Sequence, residues 1–271
     1  MEYVEVQGAR VPALGFGTFR MKGSECAQAV EHAIQAGYRH IDTAEIYENE
    51  ESVGEGIRAA GVRREALFIT TKAWMDDLSK SGVRRSLESS LRRLNTDYVD
   101  LWLIHWPNPA FPLEETLQAM MQLQEVGRVS HIGASNFPVA LIEEAVKVAP
   151  LVCNQVEYHP YLSQEPILTS ARKHHMMVTA YAPIAMGKVA NDPLLVRIGA
   201  RYGKSAAQVA LRWLIQQPNV SAIPKAADPK HCVDNFDIFD FSLDGEEMAA
   251  VFGLARGERL INPEFAPRWD V

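Results

Sequence analysis

The feature that most constrains this chain is an alternation of short apolar runs with amphipathic helical patterns, repeated eight times from end to end. The runs fall at 14–17, 38–42, 67–72, 99–105, 129–135, 152–157, 177–181 and 221–224. Several are almost unbroken, as in Val99-Asp100-Leu101-Trp102-Leu103-Ile104, the pattern of a parallel strand covered on both faces. Between the runs the apolar spacing is helical. Val83, Leu87, Leu91 and Leu94 line one face, and Ala27, Val30 and Ile34 line another that Gly37 closes. Val53, Ile57 and Ala60 precede Gly61, and Leu117, Met120 and Met121 precede Gly127. Eight such units predict an α/β chain folded as a (β/α)8 TIM barrel with right-handed crossovers. We expect it to be a single domain over 1–271, with two or so helices beyond the eight. Val4-Glu5-Val6 and Arg10-Val11, flanking Gln7-Gly8-Ala9, predict an N-terminal β-hairpin capping the barrel bottom. An open doubly wound sheet is the competing architecture. Its dinucleotide fingerprint is missing, because Gly15-Phe16-Gly17-Thr18-Phe19-Arg20 lacks the third glycine.

Charge and cysteine usage narrow the function classes. Acidic residues outnumber basic ones 34 to 27, a formal charge of −7, which leaves no basic footprint for nucleic acid. No apolar run approaches the ~18 residues of a membrane span, and 1–8 has two Glu and no hydrophobic core of a signal peptide. Cys26, Cys153 and Cys232 are odd in number and lack CxxC spacing, which reads as reduced thiols in a cytoplasmic protein. No histidine pair has metal-ligand spacing, so no metal is expected. No exposed apolar stripe stands out, so a monomer is expected.

In a barrel of this kind, chemistry belongs at the C-terminal strand ends and the loops after them. Asp42, Lys72 and His105 end the second, third and fourth predicted strands, and Tyr47 lies five residues beyond Asp42. Taken singly, each is ordinary: an Asp caps a helix, a Tyr packs, a Lys is solvated. Their convergence on one rim of three adjacent strands is not ordinary. A free phenol titrates near pH 10, too high for an efficient acid at neutrality. A Lys ammonium ~4 Å away at an effective dielectric of ~20 is worth about 4 kcal/mol, enough to lower that pKa by up to ~3 units before desolvation opposes it. The expectation is therefore that Lys72 acidifies Tyr47, that Asp42 holds Lys72, and that His105 orients a carbonyl oxygen. Such an acid protonates a developing alkoxide, and the hydride must come from elsewhere.

The motifs around these residues resemble the aldo-keto reductase family. Gly37-Tyr38-Arg39-His40-Ile41-Asp42-Thr43-Ala44 continues through Tyr47-Glu48-Asn49-Glu50 to Val53-Gly54. Thr71-Lys72-Ala73-Trp74, Ile104-His105-Trp106-Pro107 and Gly133-Ala134-Ser135-Asn136-Phe137 follow in family order. Asn154-Gln155-Val156-Glu157-Tyr158-His159-Pro160, Ala180-Tyr181-Ala182-Pro183 and Ile223-Pro224-Lys225 complete the series. The length and the tail, Arg259-Leu260-Ile261-Asn262-Pro263-Glu264 and Ala266-Pro267-Arg268-Trp269-Asp270, are similar to those of the short bacterial members.

The resemblance implies a catalytic tetrad of Asp42, Tyr47, Lys72 and His105, with Tyr47 as general acid, and a nicotinamide cofactor across the barrel top. It implies that Ser135, Asn136 and Gln155 bind the carboxamide and that Tyr181 stacks on the ring. Gly17, Thr18, Asp42, Pro183 and Asn235 would line the rest of the cofactor. At the adenosine end Lys225 matches the family's phosphate lysine, but Ala226 and His231 stand where a Ser and an Arg are usual. A helix predicted to start near Asp228-Pro229 could still offer its N-terminus to a 2′-phosphate, with Lys230 nearby. His231 could assist only when protonated. NADPH is the expected cofactor, with NADH possible. Phe19, Trp74 and Trp106, with Tyr47 and His105, would wall the substrate pocket. A short loop over 182–192 and the trimmed tail predict an open pocket for small polar dicarbonyls or aldehydes, and the resemblance implies that small aldehydes and ketones, dicarbonyls such as methylglyoxal or 2,5-diketo-D-gluconate among them, are reduced to alcohols. Two other readings are a Schiff-base barrel lyase using Lys72 and a non-catalytic nicotinamide-binding regulator.

Overall fold

The computed structural model describes residues 1–269, so Asp270 of the tail motif lies outside the described residues. Strands β1 (Tyr3–Val6) and β2 (Ala9–Pro12) form the antiparallel hairpin, with Val6 paired to Ala9. The turn is thus only Gln7-Gly8, and Ala9 opens the second strand. Both turn residues have positive φ, 46° and 82°, as a tight hairpin of matching twist requires.

Eight parallel strands follow: β3 (Phe16–Gly17), β4 (His40–Asp42), β5 (Phe68–Ala73), β6 (Val99–Ile104), β7 (Val129–Ser135), β8 (Cys153–Glu157), β9 (Met177–Tyr181) and β10 (Val220–Ala222). Each pairs with its successor. Leu14 bridges Ala222 in parallel, and the Gly17 N–H donates to the Pro224 carbonyl at 3.0 Å, which joins the first strand to the last and closes the ring. The observed strands sit inside the predicted runs, apart from one-residue extensions at Ala73 and Val220. Ten helices occur among the described residues. Eight follow the barrel strands, and the extra pair is Pro193–Tyr202 and Gly245–Phe252.

Helix Lys80–Leu94 shows how the outer layer is specified. Ser79 caps it by accepting from the Gly82 N–H at 3.1 Å, and Asn95 ends it in the left-handed region at φ 54°. Val83, Leu87, Leu91 and Leu94 are all buried against the barrel. Such burial contributes about 1.5–3 kcal/mol per side chain, so Leu87→Ala would cost about 2–5 kcal/mol once the cavity is included. Helix Glu50–Ala59 packs against the end of this one so closely that a Cβ on Gly54 would lie 2.5 Å from the Leu94 carbonyl oxygen. That contact fixes the loop carrying Tyr47, which immediately precedes the helix.

Candidate active site

The strand-end residues converge. Lys72 is fully buried, and its Nζ donates to Asp42 Oδ1 at 2.6 Å and to the Thr43 carbonyl at 2.7 Å. The other Asp42 oxygen, Oδ2, accepts from Gln155 Nε2 at 2.8 Å. Thr18 Oγ1 donates to the Asp42 carbonyl at 3.0 Å. Asp42 is thus held on three sides, by β5, by β8 and by the loop after β3. Burying this ion pair is tolerable because its polar atoms are matched.

Tyr47 leaves a short 3-10 turn, Glu45–Tyr47, and sets its ring 5.6 Å from that of His105. Lys72 Nζ lies 5.2 Å from the phenol ring centroid. The expected acidification of Tyr47 by Lys72 is not what the structure supports. Burial, and then the Asp42 carboxylate, push the phenol well above its ordinary value. The phenol is desolvated by its burial, and the Lys72 ammonium that could offset this is bonded to Asp42. Lys72 itself is pulled down by burial against the opposing pull of Asp42. His105 is held well below the usual imidazole range, by burial and then by the Lys72 charge, so it stays neutral at physiological pH. Lys72 has no exposed surface through which a carbonyl carbon could reach Nζ, which argues against the Schiff-base reading.

A second layer of amides abuts the tetrad. Asn136 follows β7 in the left-handed region, φ 62°, a conformation Asn tolerates well. This turn lets its Nδ2 donate to the His105 carbonyl at 3.0 Å and to Ser135 Oγ at 3.1 Å. Its Oδ1 accepts from the Tyr181 hydroxyl at 2.8 Å, and Ser135 Oγ donates to the Gln155 carbonyl at 2.9 Å. Ser135, Asn136, Gln155 and Tyr181 are therefore one connected patch beside Asp42. Its acceptors, donors and flat phenol are the chemistry a nicotinamide carboxamide and ring need.

The adenosine end is built differently. Lys225 and His231 are exposed, and Asn235 is buried in helix Pro229–Phe236. The helix N-terminus expected to receive a phosphate already has a partner. Asp228 Oδ1 accepts from the Lys230 N–H at 2.7 Å and, more weakly, from the His231 N–H at 3.4 Å. Lys230 Nζ is 3.2 Å from Asp234 on the same exposed face. Gly17 reaches this region through the closing seam at Pro224, Thr18 is bonded to Asp42 instead, and Pro183 follows β9 two residues after Tyr181.

Two of the residues expected to wall the pocket lie beside Tyr47 and His105, and the third meets the tail. The Phe19 ring lies 5.0 Å from that of Tyr47, and the Trp74 ring 5.3 Å from that of His105. The Trp74 N–H donates to Glu45, whose other carboxylate oxygen accepts from Ser86 Oγ at 2.6 Å. Trp106 is buried, but its ring neighbours are Phe265 and Trp269 of the tail, at 5.4 and 6.0 Å. Phe265 also meets Trp74 at 5.6 Å. The tail, short as it is, lies along the aromatic wall instead of leaving that side open. Sequence reasoning named neither Phe265 nor Glu157 as part of the site. The signal for Glu157 was available: a carboxylate ending an otherwise apolar and amide run, two residues after Gln155.

The chain's likeness to known proteins agrees with this geometry. The model of the aldo/keto reductase family matches residues 13–256. Methylglyoxal reductase DkgB of Salmonella typhimurium is 40% identical over 266 residues, covering 96% of this chain and 99% of that protein. Glyoxal reductase of Bacillus subtilis is 40% identical over 257 residues, covering 93% and 92%. A crystal structure provisionally named a 2,5-diketo-D-gluconic acid reductase B superposes with a TM-score of 0.98 at 49% identity, covering 100% of this chain and 98% of that one. The Bombyx mori aldo-keto reductase in complex with NADP superposes with a TM-score of 0.90 at 34% identity, covering 98% and 99%. Closed barrel, buried Asp42–Lys72 pair and family match together lead to one conclusion: this chain is an oxidoreductase that belongs to the aldo/keto reductase family.

Proposed function

We propose that the protein reduces small dicarbonyls, methylglyoxal and 2,5-diketo-D-gluconate among them, with NADPH as the preferred cofactor and NADH as a weaker one. The observation that carries this reading is the setting of Tyr47 between His105 and the buried Asp42–Lys72 pair, on the same rim as the amide patch. The reduced nicotinamide, when bound, supplies the hydride. Ser135, Asn136 and Gln155 would hold its carboxamide, with Tyr181 against the ring. Gly17, Thr18, Asp42, Pro183, Lys225, His231 and Asn235 would line its remaining length.

Tyr47 donates its hydroxyl proton to the substrate oxygen as negative charge develops there. A phenol raised by burial stays protonated across the physiological range, so the donor is always loaded. Neutral His105 donates a hydrogen bond that orients the same oxygen, which fixes the approach without competing for the proton. Asp42 and Lys72 keep the phenol's surroundings rigid and dry, which strengthens both interactions. Phe19, Trp74 and Trp106 shield the reacting centre from water.

The test is cofactor oxidation by the purified protein with each dicarbonyl, using NADPH and NADH in parallel. Turnover with NADPH exceeding that with NADH is expected. Binding of either nucleotide without turnover of any carbonyl would instead favour the regulator reading.

A further inference from the structure

We propose that Glu157 is a positioning residue for substrate binding: its buried carboxylate anchors the C-terminal segment whose aromatic side chains complete the pocket wall. The proposal rests on the carbonyl-reductase reading above. Glu157 ends β8 with no exposed surface, so its carboxylate must be satisfied from within the protein. Two of its three partners belong to the tail. Oε1 accepts from the Leu260 N–H at 2.7 Å, and Oε2 accepts from the Ile261 N–H at 2.9 Å. The third is His159 Nε2, which donates to Oε1 at 2.9 Å. That bond makes Nε2 the protonated ring nitrogen, and His159 Nδ1 is buried without a hydrogen-bond partner among the described residues. Gln164 Nε2 donates to the Glu157 carbonyl at 2.6 Å and steadies the strand end.

A buried carboxylate is a demanding way to hold a surface segment, and an apolar side chain would supply adhesion alone. Two oxygens accepting from two consecutive backbone N–H groups supply direction as well. The same loop reinforces it, since the Tyr161 carbonyl accepts from the N–H groups of Arg256 and Glu258, both at 3.1 Å. Beyond this root the tail carries Phe265 against Trp74 and Trp106, and Trp269 against Trp106. Trp269 is tied back to Asn262 by Nε1 at 2.8 Å. Gln155 and Glu157 share one face of β8, because strand side chains alternate. One strand thus delivers Gln155 to Asp42 and Glu157 to the tail, so pocket wall and tetrad are referenced to the same backbone.

Glu157→Gln keeps the shape but replaces one acceptor oxygen with a donor, so one tail N–H loses its partner. Ile261→Pro removes one of the same bonds from the tail's side and leaves the buried carboxylate intact. Phe265→Ala removes the wall contact itself. The expected result for each variant is a KM for the dicarbonyl about tenfold higher, with kcat and NADPH affinity by fluorescence titration within about twofold of wild type. Combining Glu157→Gln with Phe265→Ala should raise KM no further than the larger single effect, because both act through one contact. Trypsin should also cleave after Arg259 faster in Glu157→Gln. Unchanged KM in Ile261→Pro and Glu157→Gln, or multiplicative effects in the double variant, would overturn the proposal while wild-type turnover keeps the reductase reading intact. Glu157→Gln failing to fold leaves the decision to Ile261→Pro. A wild type that turns over no carbonyl would overturn the reductase reading and this proposal with it.

Discussion

The buried and the exposed residues proposed to meet the cofactor are built on opposite principles. At the proposed nicotinamide end Asp42, Lys72, Ser135, Asn136 and Gln155 are buried, come from four strand ends, and are bonded to one another. At the proposed adenosine end Lys225, Lys230 and His231 are exposed, come from one loop and one helical turn, and meet no such network among the described residues. Chemistry that tolerates little displacement is placed where packing fixes it. The exposed side chains can change singly without disturbing the barrel. The interior end should therefore respond to substitution in both stability and rate, and the exposed end mainly in cofactor choice.

Breaking the interior end gives the largest expected effect. Lys72→Met leaves Asp42 buried without its cation, and removing one partner of such a pair costs about 3–5 kcal/mol. Thermal unfolding should report that loss, and reduction should fall by at least ~100-fold. A variant with unchanged stability would mean that Asp42 is satisfied without Lys72.

Acid should separate the two ends next. His40, fully buried on β4 two residues before Asp42, is lowered from 6.5 to about 4, by burial first and against the pull of Asp42. The unfolded chain takes up a proton below about pH 6.5, whereas the native state resists until about pH 4. The unfolded state thus binds more protons in that window, so stability present above pH 6.5 is lost on acidification towards pH 4. The shift corresponds to about 3 kcal/mol. His105, lowered in the same sense, adds to this loss. Chemical denaturation between pH 7 and 4.5 should show a falling stability that His40→Gln flattens. NADPH affinity should meanwhile change far less than stability.

The smallest effect sharpens the other side. Asp228 holds the helix N-terminus with a negative side chain where a 2′-phosphate would sit. Asp228→Ser keeps a capping oxygen, so stability should change by less than about 0.5–1 kcal/mol. Without the charge, NADPH should bind about three- to tenfold tighter while NADH binds as before, which parallel fluorescence titrations would read. Equal changes for both nucleotides would remove Asp228 from the account of selectivity.

The same contrast explains what was legible in the sequence. The eight strands and the meeting of Asp42 with Lys72 were readable because a strand buried on both faces leaves an apolar run, and Asp42, Lys72 and His105 interrupt such runs at their ends. The hairpin was readable from Gln7-Gly8, though not the pairing of Ala9. The direction of the Tyr47 shift was not, because it depends first on how deeply the phenol is buried and then on its distance from Asp42, neither of which spacing encodes. The tail's role was hidden for another reason. Glu157 meets Leu260 and Ile261 across about a hundred residues of chain, and nothing local marks that meeting. At the adenosine end Asp228-Pro229 announced a helix start, but not that the aspartate would occupy the N–H groups a phosphate needs.

The most direct test of the account is Tyr47→Phe, assayed for cofactor binding and for single-turnover reduction of methylglyoxal in the same preparation. Removing one hydroxyl takes away the proton donor and leaves the aromatic packing against Phe19 and His105. NADPH affinity is expected within about twofold of wild type, and reduction slowed by about 10²–10⁴-fold. Reduction at the wild-type rate would contradict the account, and would move the proton donor to another group on the rim.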